Sequence, residues 1–112
     1  MKLEYDGKFI HLVDCRRFFS RFIGFMFREK IDCALLFNKC NSIHTFFMKN
    51  NIDVIMCDKD NKILYYYNDF NKNKIIWPKK GVYKTIELPV NYFDFNVGDL
   101  VHIKEYTNDK FN

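Results

Sequence analysis

The sequence lacks the features of an exported or membrane-spanning protein. It contains no uninterrupted apolar run of the roughly 18 residues that a membrane helix needs. Its opening stretch carries Glu4, Asp6 and Asp14 at positions where a secretory signal has its apolar core. Glycine and proline are also scarce, with 4 and 2 residues among 112. These absences predict a cytoplasmic protein with no membrane span and no long flexible linker.

Closely spaced cysteine pairs are absent as well. Cys15, Cys33, Cys40 and Cys57 form no Cys-x-x-Cys pair, whereas zinc ligands usually come in pairs about two to four residues apart. In a chain without an export signal, such cysteines are expected to be reduced thiols that behave as small buried hydrophobes. We therefore predict no metal site and no cofactor.

The composition is that of one globular domain covering residues 1–112, with 48% hydrophobic and 29% charged residues. The net charge of +4 and the pI near 8.8 are mildly basic. A dedicated nucleic-acid domain is usually more basic and has clustered charge, but the lysines here are spread along the chain. All four arginines fall in one stretch: Arg16, Arg17, Arg21 and Arg28. Nucleic acid is therefore not favoured as the main partner.

The hydrophobic pattern predicts one amphipathic helix among short strands. Over residues 15–27 the apolar side chains recur with helical period: Phe18, Phe22 and Met26 share one face, and Arg17 and Arg21 share the opposite face. Strands are predicted at residues 9–13, 34–37, 44–48, 52–57, 63–67, 82–88 and 100–106. The expected fold class is α+β, mostly β: a compact small sheet or partly closed barrel with the helix packed on it.

Several pieces of the chain, in order, resemble one family. The pieces are Gly24-Phe25-Met26-Phe27-Arg28, Leu35-Leu36-Phe37, the stretch from His44 to Asn50, Ile52-Asp53-Val54-Ile55 and Gly98-Asp99-Leu100-Val101. Together they are similar to domain-of-unknown-function family 192, over about residues 8–104. The resemblance implies one of the uncharacterised small β-rich proteins of bacteria and archaea, with no established activity.

The densest polar cluster within apolar sequence lies around His44 and Asp53. If their strands are neighbours, Asp53 could orient the His44 imidazole for acid–base work. Cys40 lies four residues before His44, so a cysteine–histidine nucleophile is conceivable. Alternatively, His44 caps a strand and Asp53 ties down a turn by accepting backbone hydrogen bonds. The first interpretation gives a small hydrolase-like enzyme that uses His44 with Cys40 or Asp53.

The favoured hypothesis is a non-catalytic binding module for a small anionic ligand or a protein partner. The ligand would enter a groove between the helix and the central strands. Its expected contacts are the polar and sulfur side chains near that groove: Arg28, His44, Thr45, Met48, Lys49 and Asp53. A third hypothesis is weak nucleic-acid binding through the arginine stripe of Arg17 and Arg21 and the tyrosine strand at residues 65–67. The expected assembly is a monomer or a weak homo-oligomer.

Overall fold

The computed structural model describes residues 1–16, 26 and 28–106. This part of the chain contains strands and turns, and no helix is found in it. The predicted helix over residues 15–27 lies almost wholly outside the described residues, so the helical part of the predicted α+β class stays a prediction. The strands are β1 (Lys2–Tyr5), β2 (Lys8–Asp14), β3 (Ala34–Asn38), β4 (Ile43–His44), β5 (Ile52–Cys57), β6 (Ile63–Phe70), β7 (Ile75–Ile76), β8 (Lys84–Leu88) and β9 (His102–Lys104).

Seven of the strands form one curled sheet in the order β6-β5-β8-β3-β2-β1-β9. Strands β2 and β3 are parallel, and the other neighbouring pairs are antiparallel. The curl brings the two ends of the sheet together, because Lys62 forms a bridge with Leu100. Next to that bridge, the Ile63 amide donates to the Asp99 carbonyl at 2.9 Å. The predicted mostly β, partly closed barrel is therefore confirmed.

Two apolar clusters lie on opposite faces of this sheet. The first gathers side chains from strands all around the curl and fills its inside; it includes Leu3, Leu12, Leu36, Ile55, Ile86 and Phe95. The second, which we call the outer core, includes Leu35, Phe37, Val54, Met56, Met48 and Ile76. Strands β3, β5 and β8 are buried on both faces as a result. This is why all six residues of β5 are buried, including Asp53.

Part of the outer core is covered by a separate two-stranded ribbon, in which Ile43 pairs with Ile76 and His44 with Ile75. The prediction of a strand over residues 44–48 is wrong beyond His44. Thr45 begins a turn, because its backbone and side chain bond to the loop at residues 71–74. Strand β1 was not predicted, although Asp6-Gly7 after the alternating residues Lys2–Tyr5 is a hairpin signal; it forms a hairpin with β2.

The cysteines are free thiols, and Cys15, Cys33 and Cys57 are buried while Cys40 is half-buried. Burial raises the pKa of the Cys57 thiol to about 12, since a thiolate loses its hydration in an apolar interior. In the part of the chain that the structure describes, no helix is long and apolar enough to cross a bilayer. The predicted cytoplasmic location stays a prediction.

Candidate functional site

Thr45 is the centre of a hydrogen-bond network that joins two loops. The residue is fully buried. Its hydroxyl donates to the Asn71 carbonyl at 2.8 Å and accepts from the Lys74 amide at 2.9 Å. Its own amide donates to the Lys74 carbonyl at 2.8 Å, and its carbonyl accepts from the Asn73 amide at 2.8 Å. These bonds hold the turn at residues 45–48 against the loop at residues 71–74.

Large apolar side chains stand exposed around this network. Phe46, Phe47, Ile75 and Trp77 are 38%, 63%, 39% and 69% exposed. Phe47 also has a φ of 62°, a left-handed backbone that is rare and strained for a bulky residue. The Asn73 side chain steadies it by accepting from the Phe47 amide at 3.3 Å. Exposed aromatic rings on a backbone fixed by buried bonds are typical of a binding surface.

A groove of about 450 Å³ runs along the ribbon between these side chains. We call it the ribbon groove; it is lined by Ser42, Ile43, His44, Phe46, Ile75, Ile76, Trp77 and Pro78. The His44 ring stacks on the Phe46 ring with centroids 5.2 Å apart. Its Nδ1 accepts a hydrogen bond from the Phe46 amide at 3.2 Å. His44 therefore shapes one wall of the groove.

Asp53 is 1% exposed and fastens two chain turns to β5. One carboxylate oxygen accepts from the Asn68 side chain at 3.0 Å and from the Asp69 amide at 2.8 Å. The other accepts from the Asn91 amide at 3.0 Å and from the Tyr66 hydroxyl at 3.3 Å. Burial, with the nearby Asp53 charge, raises the pKa of Tyr66 to about 12. The carboxylate ties down turns by accepting backbone hydrogen bonds, as the second of the two interpretations predicts.

The groups considered for hydrolase-like chemistry have structural partners in different places. The Cys40 thiol donates to the Ser42 carbonyl at 3.0 Å. His44 accepts from the Phe46 amide, and Asp53 is held by its four donors. These bonds assemble no nucleophile–base pair. Among the residues that the structure describes, no three His, Cys, Asp or Glu side chains are grouped so that they could hold a metal ion.

Lys49 lies at a second, wider depression of about 640 Å³, which we call the basic cleft. Its ammonium pairs with Glu29 at 2.7 Å, and the Asn50 side chain donates to the Glu29 carbonyl at 2.9 Å. Arg28 comes just before this contact and lies close to the Cys33 thiol. Burial raises the pKa of that thiol, while the Arg28 guanidinium opposes the rise.

The six predicted ligand contacts therefore do not converge on one site. His44 lines the ribbon groove. Thr45, Met48 and Asp53 are buried and shape the chain, whereas Lys49 faces the basic cleft beside the backbone of Arg28. Arg17 and Arg21 lie outside the described residues, so the arginine-stripe hypothesis stays a prediction.

A buried acid in the outer core was not predicted from the sequence. Glu87 is 3% exposed, and its Oε1 has no hydrogen-bond partner among the residues that the structure describes. Its strand neighbours are Leu35 on β3 and Val54 on β5. Burial raises the pKa of Glu87 to about 8, because ionisation would place an unpaired charge among apolar groups. The alternation along β8 places Glu87 on the outer face of the sheet, which would be exposed to solvent if nothing covered it. The outer core covers this face and buries the acid.

The fold defines a class of small proteins built on one curled β-sheet. Two solved structures share it: a protein of unknown function from Novosphingobium aromaticivorans, with a TM-score of 0.76, 14% identity and coverage of 91% of this chain and 82% of that one, and a protein from Sinorhizobium meliloti, with a TM-score of 0.74, 16% identity and coverage of 90% and 89%. At these identities the likeness shows the fold alone.

The chain belongs to the DUF192 family, an uncharacterized ACR, whose profile matches residues 1–103. The resemblance found in the sequence is thereby confirmed. The chain is also 34% identical to a UPF0127 protein of Thermococcus gammatolerans over 93 residues, which cover 75% of this chain and 60% of that protein. A UPF0127 protein of Thermococcus sibiricus is 34% identical over 94 residues, with coverage of 73% and 58%. The chain thus spans about three fifths of the length of these relatives.

Proposed function

We propose that this protein is a non-catalytic binding module that takes a partner protein in the ribbon groove. The observation that carries the proposal is the exposure of Phe46, Phe47 and Trp77 on a backbone that buried hydrogen bonds of Thr45 hold in place. A protein gains little by exposing several large apolar side chains together unless a partner covers them. His44 acts as a wall of the groove, and Thr45 acts as the positioning residue beneath it.

Pre-organisation supports this use of the surface. Binding costs conformational entropy when side chains and loops must be ordered on contact. Here the cost is already met in the free protein, since Phe47 is held in a left-handed backbone by Asn73 and the neighbouring turn is tied to the loop at residues 71–74. Aromatic side chains presented in this way are frequent hot spots of protein interfaces.

A catalytic role is less well supported, because the candidate groups serve the fold. The Cys40 thiol and the Asp53 carboxylate are both engaged by hydrogen bonds near their own strands. The His44 ring is stacked on Phe46. A hydrolase-like enzyme would need at least two of these groups to face one another.

Site-specific photo-crosslinking tests the proposal. A photoreactive phenylalanine derivative is placed at position 77, in place of Trp77, and at position 9 in a matched control, since Phe9 is 51% exposed on β2. A protein crosslinked at position 77 is identified, purified and titrated against the unmodified chain while the emission of Trp77, the single tryptophan, is followed. We expect saturable binding with a blue shift, weakened about tenfold or more by Phe46→Ser.

Two results would overturn the proposal. One is an equal yield of crosslinked protein at positions 77 and 9, since that would indicate nonspecific binding to exposed apolar side chains. The other is a purified partner whose affinity is unchanged by Phe46→Ser when the variant unfolds at the same temperature as the unmodified chain.

A small anionic ligand in the basic cleft is a second candidate. Lys30, Lys49 and Lys72 line this cleft, together with Glu29 and Asp69. The two carboxylates leave an excess of one positive charge, which makes the cleft a weaker site for anions than three lysines alone. Inorganic phosphate should raise the melting temperature of the unmodified chain and have no such effect on Lys49→Ala. An equal response of both proteins would rule the cleft out.

A further inference from the structure

We infer that the partner presents an acidic, extended segment with one apolar side chain, which enters the ribbon groove while carboxylates contact the lysines around it. This inference rests on the proposed function and adds the chemistry of the partner. It is carried by the distribution of charge over the two chain segments that build the groove.

Those two segments hold cations and no carboxylates. Residues 38–52 and 70–86 contain no aspartate or glutamate. The same segments contain seven lysines: Lys39, Lys49, Lys72, Lys74, Lys79, Lys80 and Lys84. Glu29 and Asp69 lie beside Lys49 and Lys72 in the basic cleft, so the positive charge that matters here is that of the lysines next to the ribbon groove. A surface of one sign attracts and orients a partner of the opposite sign.

The lysines next to the groove are not used by internal ion pairs. Within the described residues, Lys74, Lys79 and Lys80 form no salt bridge. Lys74 comes immediately before the groove residue Ile75, and Lys79 and Lys80 follow the groove residue Pro78. The Lys79 amide also donates to the Asn41 carbonyl at 3.1 Å, which holds this pair beside the start of the other groove wall. Lys74 and Lys80 therefore flank the β7 wall in the chain, while the Lys79 ammonium lies 5.7 Å from the centroid of the Tyr65 ring.

The lining of the groove favours a peptide over a nucleic acid. Its floor and walls include Ile43, Ile75, Ile76 and Pro78, which suit an aliphatic or aromatic side chain better than a base. A platform for single-stranded nucleic acid offers successive open ring faces for stacking. Here the Phe46 ring is already stacked on His44, which removes one such face.

Synthetic peptides and the emission of Trp77 test the inference. The main probe is a short glutamate-rich peptide with one central leucine, and the matched probe has every glutamate replaced by glutamine. We expect saturable binding of the acidic peptide, at least about tenfold tighter than the neutral one at low salt. The advantage should fall several-fold as the salt rises toward roughly 0.5 M, since screening shortens the reach of each charge.

Charge reversal locates the contact. Lys74→Glu and Lys80→Glu should each weaken the acidic peptide about threefold to tenfold. Lys62→Glu is the matched control, because Lys62 is exposed and belongs to neither segment; it should change affinity less than twofold. Equal effects of all three substitutions would contradict the inference, since they would report only the total charge of the chain.

The remaining outcomes separate this inference from the proposed function. If the neutral peptide binds as well as the acidic one, the acidic partner is wrong while the groove remains a protein-binding site. If a single-stranded oligothymidine or vesicles containing anionic lipid bind more tightly than the acidic peptide, the inference of an acidic peptide segment is wrong, and the tighter ligand indicates the class of partner. Self-association that buries Trp77, seen by sedimentation, would overturn it in favour of a second copy of this chain.

Discussion

The buried Glu87 leads to a sharp prediction about how stability depends on pH. The side chain is 3% exposed and lies between Leu35 and Val54, and within the described part of the chain no group forms a hydrogen bond with its Oε1. Its pKa is raised from an ordinary 4.5 to about 8 by burial. The folded chain therefore keeps a proton at neutral pH that the unfolded chain has released.

The sign and size of the effect follow from this difference. The folded state binds the proton more tightly than the unfolded state. The contribution of Glu87 to the free energy of unfolding is therefore fully present below pH 4.5 and is lost as the pH rises toward about 8. Each pH unit in this window lowers the free energy of unfolding by about 1.4 kcal/mol. Between the ordinary pKa and pH 7, Glu87 should therefore lower the free energy of unfolding by roughly 3 kcal/mol.

Urea unfolding of the unmodified chain and of Glu87→Gln between about pH 5 and pH 8 measures the effect. Glutamine has nearly the same shape and cannot ionise, but its buried amide has a cost of its own. The prediction therefore concerns the slope: the unmodified chain should lose stability with rising pH, and the variant should lose much less. Glu105→Gln is the control, since Glu105 is exposed. Parallel pH curves for the unmodified chain and Glu87→Gln would refute the reasoning.

Three further predictions concern the network around the site. Asp53→Ala should lower the free energy of unfolding by about 3 kcal/mol or more in urea titrations, since it leaves several buried donors unpaired; a loss under about 1 kcal/mol would show that water replaces the carboxylate. Thr45→Val should destabilise by about 2 kcal/mol and speed hydrogen exchange at residues 71–74, whereas Thr45→Ser should retain most of both; equal behaviour of the two variants would contradict the role of the hydroxyl. In the folded protein a maleimide should label Cys40 well before Cys57, because Cys57 is buried and its pKa is raised to about 12; mass spectrometry that finds Cys57 labelled first would contradict the fold.

Much of the sheet could be predicted because its strands carry local signals. The apolar run at residues 34–37 and the polar turn at residues 58–62 both lie where the sequence places them. The partly closed barrel followed from the number of short strands. The parallel pairing of β2 with β3 could not be predicted, since it depends on a long-range contact that leaves no local pattern.

The site was harder to predict, because its character depends on which faces are covered. Asp53 was considered as the residue that orients His44, yet its environment makes it a structural acceptor. Nothing in the sequence around Glu87 marks it as buried, because its burial depends on the outer core that covers β8. Thr45 was predicted within a strand, although its hydroxyl bonds a loop 26 residues further on. In each case a partner distant in sequence decides the role.

The exposure of Trp77 tests the central claim most directly. The single tryptophan is 69% exposed in the free chain and lines the ribbon groove, so acrylamide should quench its emission almost as well as that of free tryptophan. Saturation of the unmodified chain with the partner that crosslinking identified should reduce the acrylamide quenching constant of Trp77 several-fold. A shielded Trp77 in the free chain, or unchanged quenching in the complex, would contradict the binding surface described here.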